Sequence, residues 1–121
     1  METEHQARLF ARGLDSFNTS HFYEAHEHWE EVWLQTSNPE KRFLQGLIQV
    51  AAAFHHYSRA NRRGTRNLLR EGLDKLNAVS AQHRGLNIEQ LRVEVRAWLN
   101  WLDDGDSTQR CEIPRIRSWR L

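Results

Sequence analysis

The sequence predicts an all-α fold, a single compact bundle of about five helices with an extended C-terminal tail. Three observations lead there. Pro39 and Pro114 are the only prolines in 121 residues, so long stretches carry no helix breaker. Between turn-like clusters, apolar residues recur every three or four positions, the spacing that places them on one helix face. No pair of segments reads as two alternating strands joined by a turn. A chain of this length forms one domain, 1–121, around one core.

The first helix is expected over about residues 3–17, with Leu9 or Phe10, Leu14 and Phe17 as its apolar stripe. Asn18-Thr19-Ser20 follows with turn and N-cap chemistry, since such side chains accept bonds from free first-turn amides. The second helix then carries an acidic, histidine-rich segment to about Gln35. Asn38-Pro39 reads as a restart, with Asn38 as N-cap and Pro39 first in the helix, where its missing donor costs nothing. The third helix continues through Phe43, Leu44, Leu47, Ile48 and Ala51 to about Arg59, and Gly46 with Ala51-Ala52-Ala53 leaves room for a close neighbour. After the connection Asn61-Arg62-Arg63-Gly64, a fourth stripe runs through Leu68, Leu69, Leu73, Leu76 and Val79. Asn87 with Gln90 reads as a capping box. It opens a fifth helix over about 88–102, with Ile88, Leu91, Val95, Trp98, Leu99 and Leu102 on one face. Asp103-Asp104-Gly105-Asp106 reads as an acidic helix stop, because it lacks the periodic ligands and closing glutamate of a calcium loop. The tail, 103–121, alternates apolar and basic residues from Ile113 onward. It is expected to lie extended across the bundle, its Ile and Trp buried and its arginines solvated.

Composition narrows the class. Hydrophobic residues at 39% and charged residues at 27% suit a globular chain rather than a disordered one. A net charge of +1 supplies no global attraction to nucleic acid or to a membrane surface. Cys111 is the only cysteine, which excludes an internal disulfide and a cysteine-based zinc site. The polar start Met1-Glu2-Thr3-Glu4-His5 is unlike a secretory signal, and no apolar run reaches the ~18–20 residues a bilayer requires. The expected location is cytoplasmic, with no membrane partner. Arg59, Arg62, Arg63, Arg66 and Arg70 surround the third connection. They read as a solvated turn with intrahelical pairs such as Arg70–Asp74, against a second reading as a phosphate or acidic-partner site. With no helix-turn-helix pattern and no aromatic–basic alternation, nucleic acid is not an expected partner.

The segment from Phe22 to Trp33 carries the chemistry. His26 and Glu30, four residues apart, share a helix face, and Glu27 completes the string His-Glu-x-x-Glu. A catalytic metal needs three protein ligands and an open position, so a third must come from elsewhere. On the third helix Gln45, Gln49 and His56 form a polar line at spacings of four and seven, and buried amides require polar partners. The expected site joins the two helices. His26, Glu30 and His56 would hold a divalent metal ion, Glu27 would act as general base, and Gln45, Gln49 and Trp33 would contact a ligand. The competing reading makes the same cluster a hydrogen-bond network that sets helix register. Trp29, Trp33, Trp98 and Trp101 read first as core and groove residues, and His28 and His55 as exposed or capping residues rather than ligands.

Three motifs together resemble the DUF309 family. They are Phe17-Asn18 with Phe22-Tyr23-Glu24-Ala25-His26-Glu27, Glu30 and Trp33; Phe43 through Ala53 with His56; and Arg59-Ala60-Asn61 with Gly64 and Leu68-Leu69. The resemblance covers about residues 15–80. It departs at Ala60-Asn61 and Thr65, where the family usually has Gly-Asn and Ala. It implies a small helical bundle with motif residues at Glu24, His26, Glu27, Glu30, Trp33, Gln45, Gly46, Gln49, His56, Asn61 and Gly64, and it carries a suggestion of metal-dependent hydrolysis. The expected function is therefore binding of a metal or small ligand in a His/Glu/Gln pocket, with a metal-dependent hydrolase as its enzymatic form. The alternative is a non-enzymatic interaction module that binds a protein partner.

Overall fold

A computed structural model describes residues 2–104 and 109–119. Its five helices are α1 (Glu4–Asn18), α2 (Phe22–Leu34), α3 (Glu40–Ser58), α4 (Arg62–Leu76) and α5 (Ile88–Asp103). The all-α class holds, and each helix starts where local chemistry lets it. Thr3 caps α1 in a full capping box, accepting from the Gln6 amide while the Gln6 side chain accepts from Thr3. Asn61 caps α4 by accepting from the Gly64 amide at 3.0 Å. Asn87 caps α5 by accepting from the Gln90 amide at 3.0 Å. The Asn87–Gln90 box is only half made, because the Gln90 side chain donates to Glu94 instead.

Two expected caps are absent. The N-cap of α2 is His21, and the N-cap of α3 is Pro39; neither helix has a side-chain cap bond. Asn18 is occupied instead by the tail backbone at Ile116. The acidic stop is seen as far as the end of α5 at Asp103; Gly105 and Asp106 lie outside the described residues.

Successive helices α1 to α4 pack each on the next, and α5 closes on α4. Glycines allow close approach at two helix crossings. At Gly13 the indole of Trp29 lies against α1, and its Nε1 donates to the Phe10 carbonyl at 3.2 Å in the core. At Gly46 the α3 backbone meets Gly72 of α4, where a side-chain carbon on either residue would come within 3.2 Å of the other's carbonyl oxygen. Phe17, Phe54 and Trp98 stand edge to face through the centre, with centroids 6.4 and 5.1 Å apart. Such rings contribute about 0.5–1.5 kcal/mol per pair beyond their buried area.

The absence of a strand pair is corrected. Between α4 and α5, β1 (Gln82–His83) and β2 (Leu86–Asn87) form a small antiparallel hairpin. Its two turn residues, Arg84 and Gly85, have φ of 54° and 72°, the left-handed pair a two-residue hairpin needs. The segment is too short for alternation to show in the sequence.

Over residues 109–119 the tail lies extended across the bundle, but not with both apolar types inside. Ile116 is buried, whereas Trp119 is 48% exposed. The Asn18 amide clips the tail from both sides, donating to the Ile116 carbonyl at 2.9 Å and accepting from its amide at 2.8 Å. The tail then pairs with the hairpin, Arg117 accepting from the Asn87 amide and Trp119 donating to Gly85, each at 2.8 Å. Arg117 is ion-paired to Glu94 at 3.0 Å rather than simply solvated. Among the described residues, no helix is long and apolar enough to cross a membrane.

Candidate functional site between α2 and α3

Two ring contacts set the register of α2 on α3. The Lys41 ammonium sits 4.2 Å from the Trp33 ring, and the Tyr23 and His55 rings are 5.4 Å apart. The helices are thus antiparallel, and His26 stands level with the turn from Gln49 to Ala52. A cleft of about 190 Å³ opens there, lined by Tyr23, His26, Ala52, His55 and His56. Tyr23 and His55 also wall a broader groove of about 470 Å³ that reaches His21, Tyr57 and Arg110.

His26 is the polar centre of the cleft. Its Nε2 lies 3.3 Å from Glu30 Oε2, and Tyr23 stacks on the ring at 5.9 Å. Its Nδ1 is buried without a hydrogen-bond partner, as is Oε1 of Gln49 on the facing helix. With a carboxylate beside Nε2, the proton of the neutral ring belongs on Nε2. Nδ1 then carries a bare lone pair. A buried acceptor left unmatched costs about 1–3 kcal/mol.

The turn after α3 decides the chemistry of His56. Asn61 Oδ1 accepts from Gly64, so the amide nitrogen of Asn61 is the atom that faces His56 Nδ1, at 3.1 Å. An amide nitrogen only donates. His56 Nδ1 is therefore an acceptor and the ring proton sits on Nε2. A metal bound through Nε2 would need the opposite tautomer, with a hydrogen on Nδ1 pointing at a donor.

The other expected site residues disperse. Glu30 touches His26, but Glu27 lies on the outer side of α2 in a groove shared with His28, Glu30, Glu31 and Leu34. Trp33 is at the far end of α2, under Lys41. Gln45 and Gln49 are half-buried along α3, and neither lines the cleft. Among the described residues, no three His, Cys, Asp or Glu side chains form a group that could hold a metal ion. Tyr23, Ala52 and His55 are the lining residues that sequence reasoning missed. The available signal was spacing: Tyr23 is one turn before His26, and His55 one turn after Ala52.

The arginines pair differently from expectation. Arg70 reaches Asp103 on α5 at 3.3 Å, Asp74 pairs with Arg42 at 3.0 Å, and Arg66 joins Asp103 at 3.1 Å. The hydrogen bond from Arg66, with the charges of Arg70 and Arg66 behind it, holds the Asp103 carboxyl below its ordinary range despite an opposing desolvation effect.

Fold and site together define a small all-α protein with a histidine-lined cleft between its second and third helices. Residues 10–68 match the family model described as Domain of unknown function (DUF309), and the chain belongs to that family. The matched stretch includes every residue of the cleft. A protein of Aquifex aeolicus (strain VF5), called "Uncharacterized protein", is 30% identical over 102 residues, 84% of this chain and 31% of its own length. "Uncharacterized protein YpuF" of Bacillus subtilis (strain 168) is 32% identical over 69 residues, 56% of this chain and 38% of its own length. The chain thus spans about a third of the length of these two relatives.

Proposed function

We propose that this chain is a binding module whose α2–α3 cleft takes a small ligand with an apolar or aromatic face and one hydrogen-bond donor. The observation that carries it is the buried, unmatched Nδ1 of His26 in a cleft otherwise walled by rings and Ala52. A ligand donor would satisfy that lone pair, with Tyr23 and His55 covering the ligand's face. Tyr23 is 51% exposed, so its ring can shift to admit a ligand to Nδ1. The binding reading is preferred to a metal-dependent hydrolase because the tautomer of His56 removes the third ligand that chemistry requires.

Phenol and aniline serve as probes, followed by amide and imidazole NMR. Either probe should shift the resonances of Tyr23, His26, Ala52 and His55, and His26→Phe should abolish the shifts while keeping the wild-type circular dichroism. Zinc and manganese should leave the melting temperature unchanged. Two results would reverse the reading: probe shifts that survive His26→Phe, or a zinc-dependent rise in melting temperature that His26→Ala removes. If His26→Phe and His26→Ala both unfold the protein, the ring belongs to the fold and not to a binding site.

A further inference from the structure

The cleft makes no use of the arginines that open α4. Arg62, Arg63 and Arg66 line a separate cavity of about 180 Å³, together with Leu102 of α5. Residues three and four apart share a helix face, so Arg66 stands one turn behind both Arg62 and Arg63. Arg62 has contacts of its own, its guanidinium lying 4.9 Å from the Trp101 ring. Arg63 makes no ion pair among the described residues. Arg66 already grips an anion: together with Arg70 it holds the two oxygens of Asp103, and that carboxyl is kept ionised below its ordinary range. Arg63 adds a guanidinium beside that of Arg66, and an oxyanion between the two would be attracted by both. The cavity is several times the ~30 Å³ of a water, and the planar forks of arginine match the oxygens of a tetrahedral oxyanion.

We infer that this cavity is an oxyanion site for the phosphate group of a small phosphorylated molecule, gripped by Arg63 and Arg66. Asp103 acts there as a built-in competitor, because it occupies part of the Arg66 fork that a bound phosphate would use. Removing its charge therefore strengthens binding, an effect opposite to that of a residue that merely supports the fold. The site is separate from the histidine cleft, and the two readings succeed or fail independently.

Inorganic phosphate is the probe, titrated at low ionic strength against the whole chain by calorimetry and by NMR of the arginine side chains. Phosphate should shift Arg63 and Arg66 and leave Tyr23 and His55 unmoved. Arg63→Gln and Arg66→Gln should each weaken binding about tenfold, the loss of one charge-assisted contact. Asp103→Asn should tighten it by about threefold to tenfold, and Arg8→Gln on α1 should leave it unchanged. The inference is overturned by an absence of phosphate-induced shifts at Arg63 and Arg66, or by Asp103→Asn failing to tighten binding. It is also overturned if a single-stranded oligonucleotide binds with steep salt dependence while phosphate does not, since that would make the patch a polymer-backbone surface.

Discussion

Replacing Gly13 by alanine tests how α1 and α2 are joined. A side-chain carbon at Gly13 would lie 2.1 Å from Trp29 Nε1, 2.4 Å from Cδ1 and 2.6 Å from Cε2, where ordinary contact begins at 3.4 Å. The indole would have to retreat by about 1.3 Å, yet Trp29 is fully buried. Retreat breaks the bond from Nε1 to the Phe10 carbonyl, a loss of about 1–3 kcal/mol for a buried donor. Overpacking the core adds about 1–3 kcal/mol. Alanine's better helix propensity returns only about 1 kcal/mol. The net expectation is destabilisation by about 3 kcal/mol, or a fall in melting temperature of about 10 °C for a domain of this size. Urea unfolding followed by circular dichroism and tryptophan fluorescence measures it, with the slope unchanged if both states keep their compactness. In a Trp29→Phe background the same change should cost at least about 1 kcal/mol less. If Gly13→Ala is neutral or stabilising, propensity has won and the indole is not seated on α1 as described.

Three further outcomes are expected. Asn18→Ala removes both bonds to Ile116; it should cost about 1–2 kcal/mol and speed amide exchange at Ile116 and Trp119 without affecting α3, and unchanged exchange would refute the clip. Asp103, whose carboxyl is held below the ordinary value of 3.8, should show a carboxyl-carbon titration midpoint under that value, rising toward it in Arg66→Gln. A depressed folded value means that its contribution is present above the ordinary value and lost as pH falls through the folded one, so the melting temperature of Asp103→Asn should fall less steeply below pH ~4 than that of the parent; a midpoint at or above 3.8 refutes the pairing. Nitrogen NMR of the imidazoles should find the His56 proton on Nε2, and Asn61→Asp, which puts a carboxylate oxygen against Nδ1, should draw a proton onto Nδ1; a Nδ1–H tautomer in the parent would sink the argument against metal ligation.

What the sequence reveals is what periodicity and short-range chemistry can encode. The apolar stripes locate all five helices. Asn87 marks the start of α5, because its cap bond spans three residues. Gly46 stands out because a residue without a side chain in an apolar helix face invites a close neighbour. Its partner, Gly72, was not legible, since which turn of α4 crosses that point depends on the packing of two whole helices. The same limit governs the arginines. Arg70 and Asp74 are correctly spaced for a pair, but Asp103 lies within reach of both Arg66 and Arg70 only once α5 has folded onto α4. Asn18 reads as a helix cap and instead holds the tail, 98 residues away in sequence. Trp119 reads as core by its residue type, but the tail's pairing with the hairpin turns it outward.

At the candidate site the two helices, His26 and His56 were legible, but Tyr23, Ala52 and His55 beside them were not. His26 and Glu30 pair as the four-residue spacing implies. His56 reaches the cleft, yet its ring is committed by Asn61 in the following turn. His56, Asn61 and Gly64 form one unit there: Asn61 caps Gly64 and fixes the His56 ring, and a side-chain carbon on Gly64 would come within 2.7 Å of the Asn61 amide nitrogen.

The Asn18 clip also bears on the order of events during folding. The helical hairpins α1–α2 and α3–α4 join residues close in sequence and can assemble on the fast timescale of local contacts. The clip closes a loop of 98 residues, and little favours that closure until α1, the hairpin and α5 already stand in place to receive Ile116. The strap should therefore dock last. Stopped-flow traces from Trp98, whose indole donates to the Glu112 carbonyl at 2.8 Å, should show the tail arriving after the secondary structure has formed. Asn18→Ala should accelerate unfolding and leave the folding rate almost untouched.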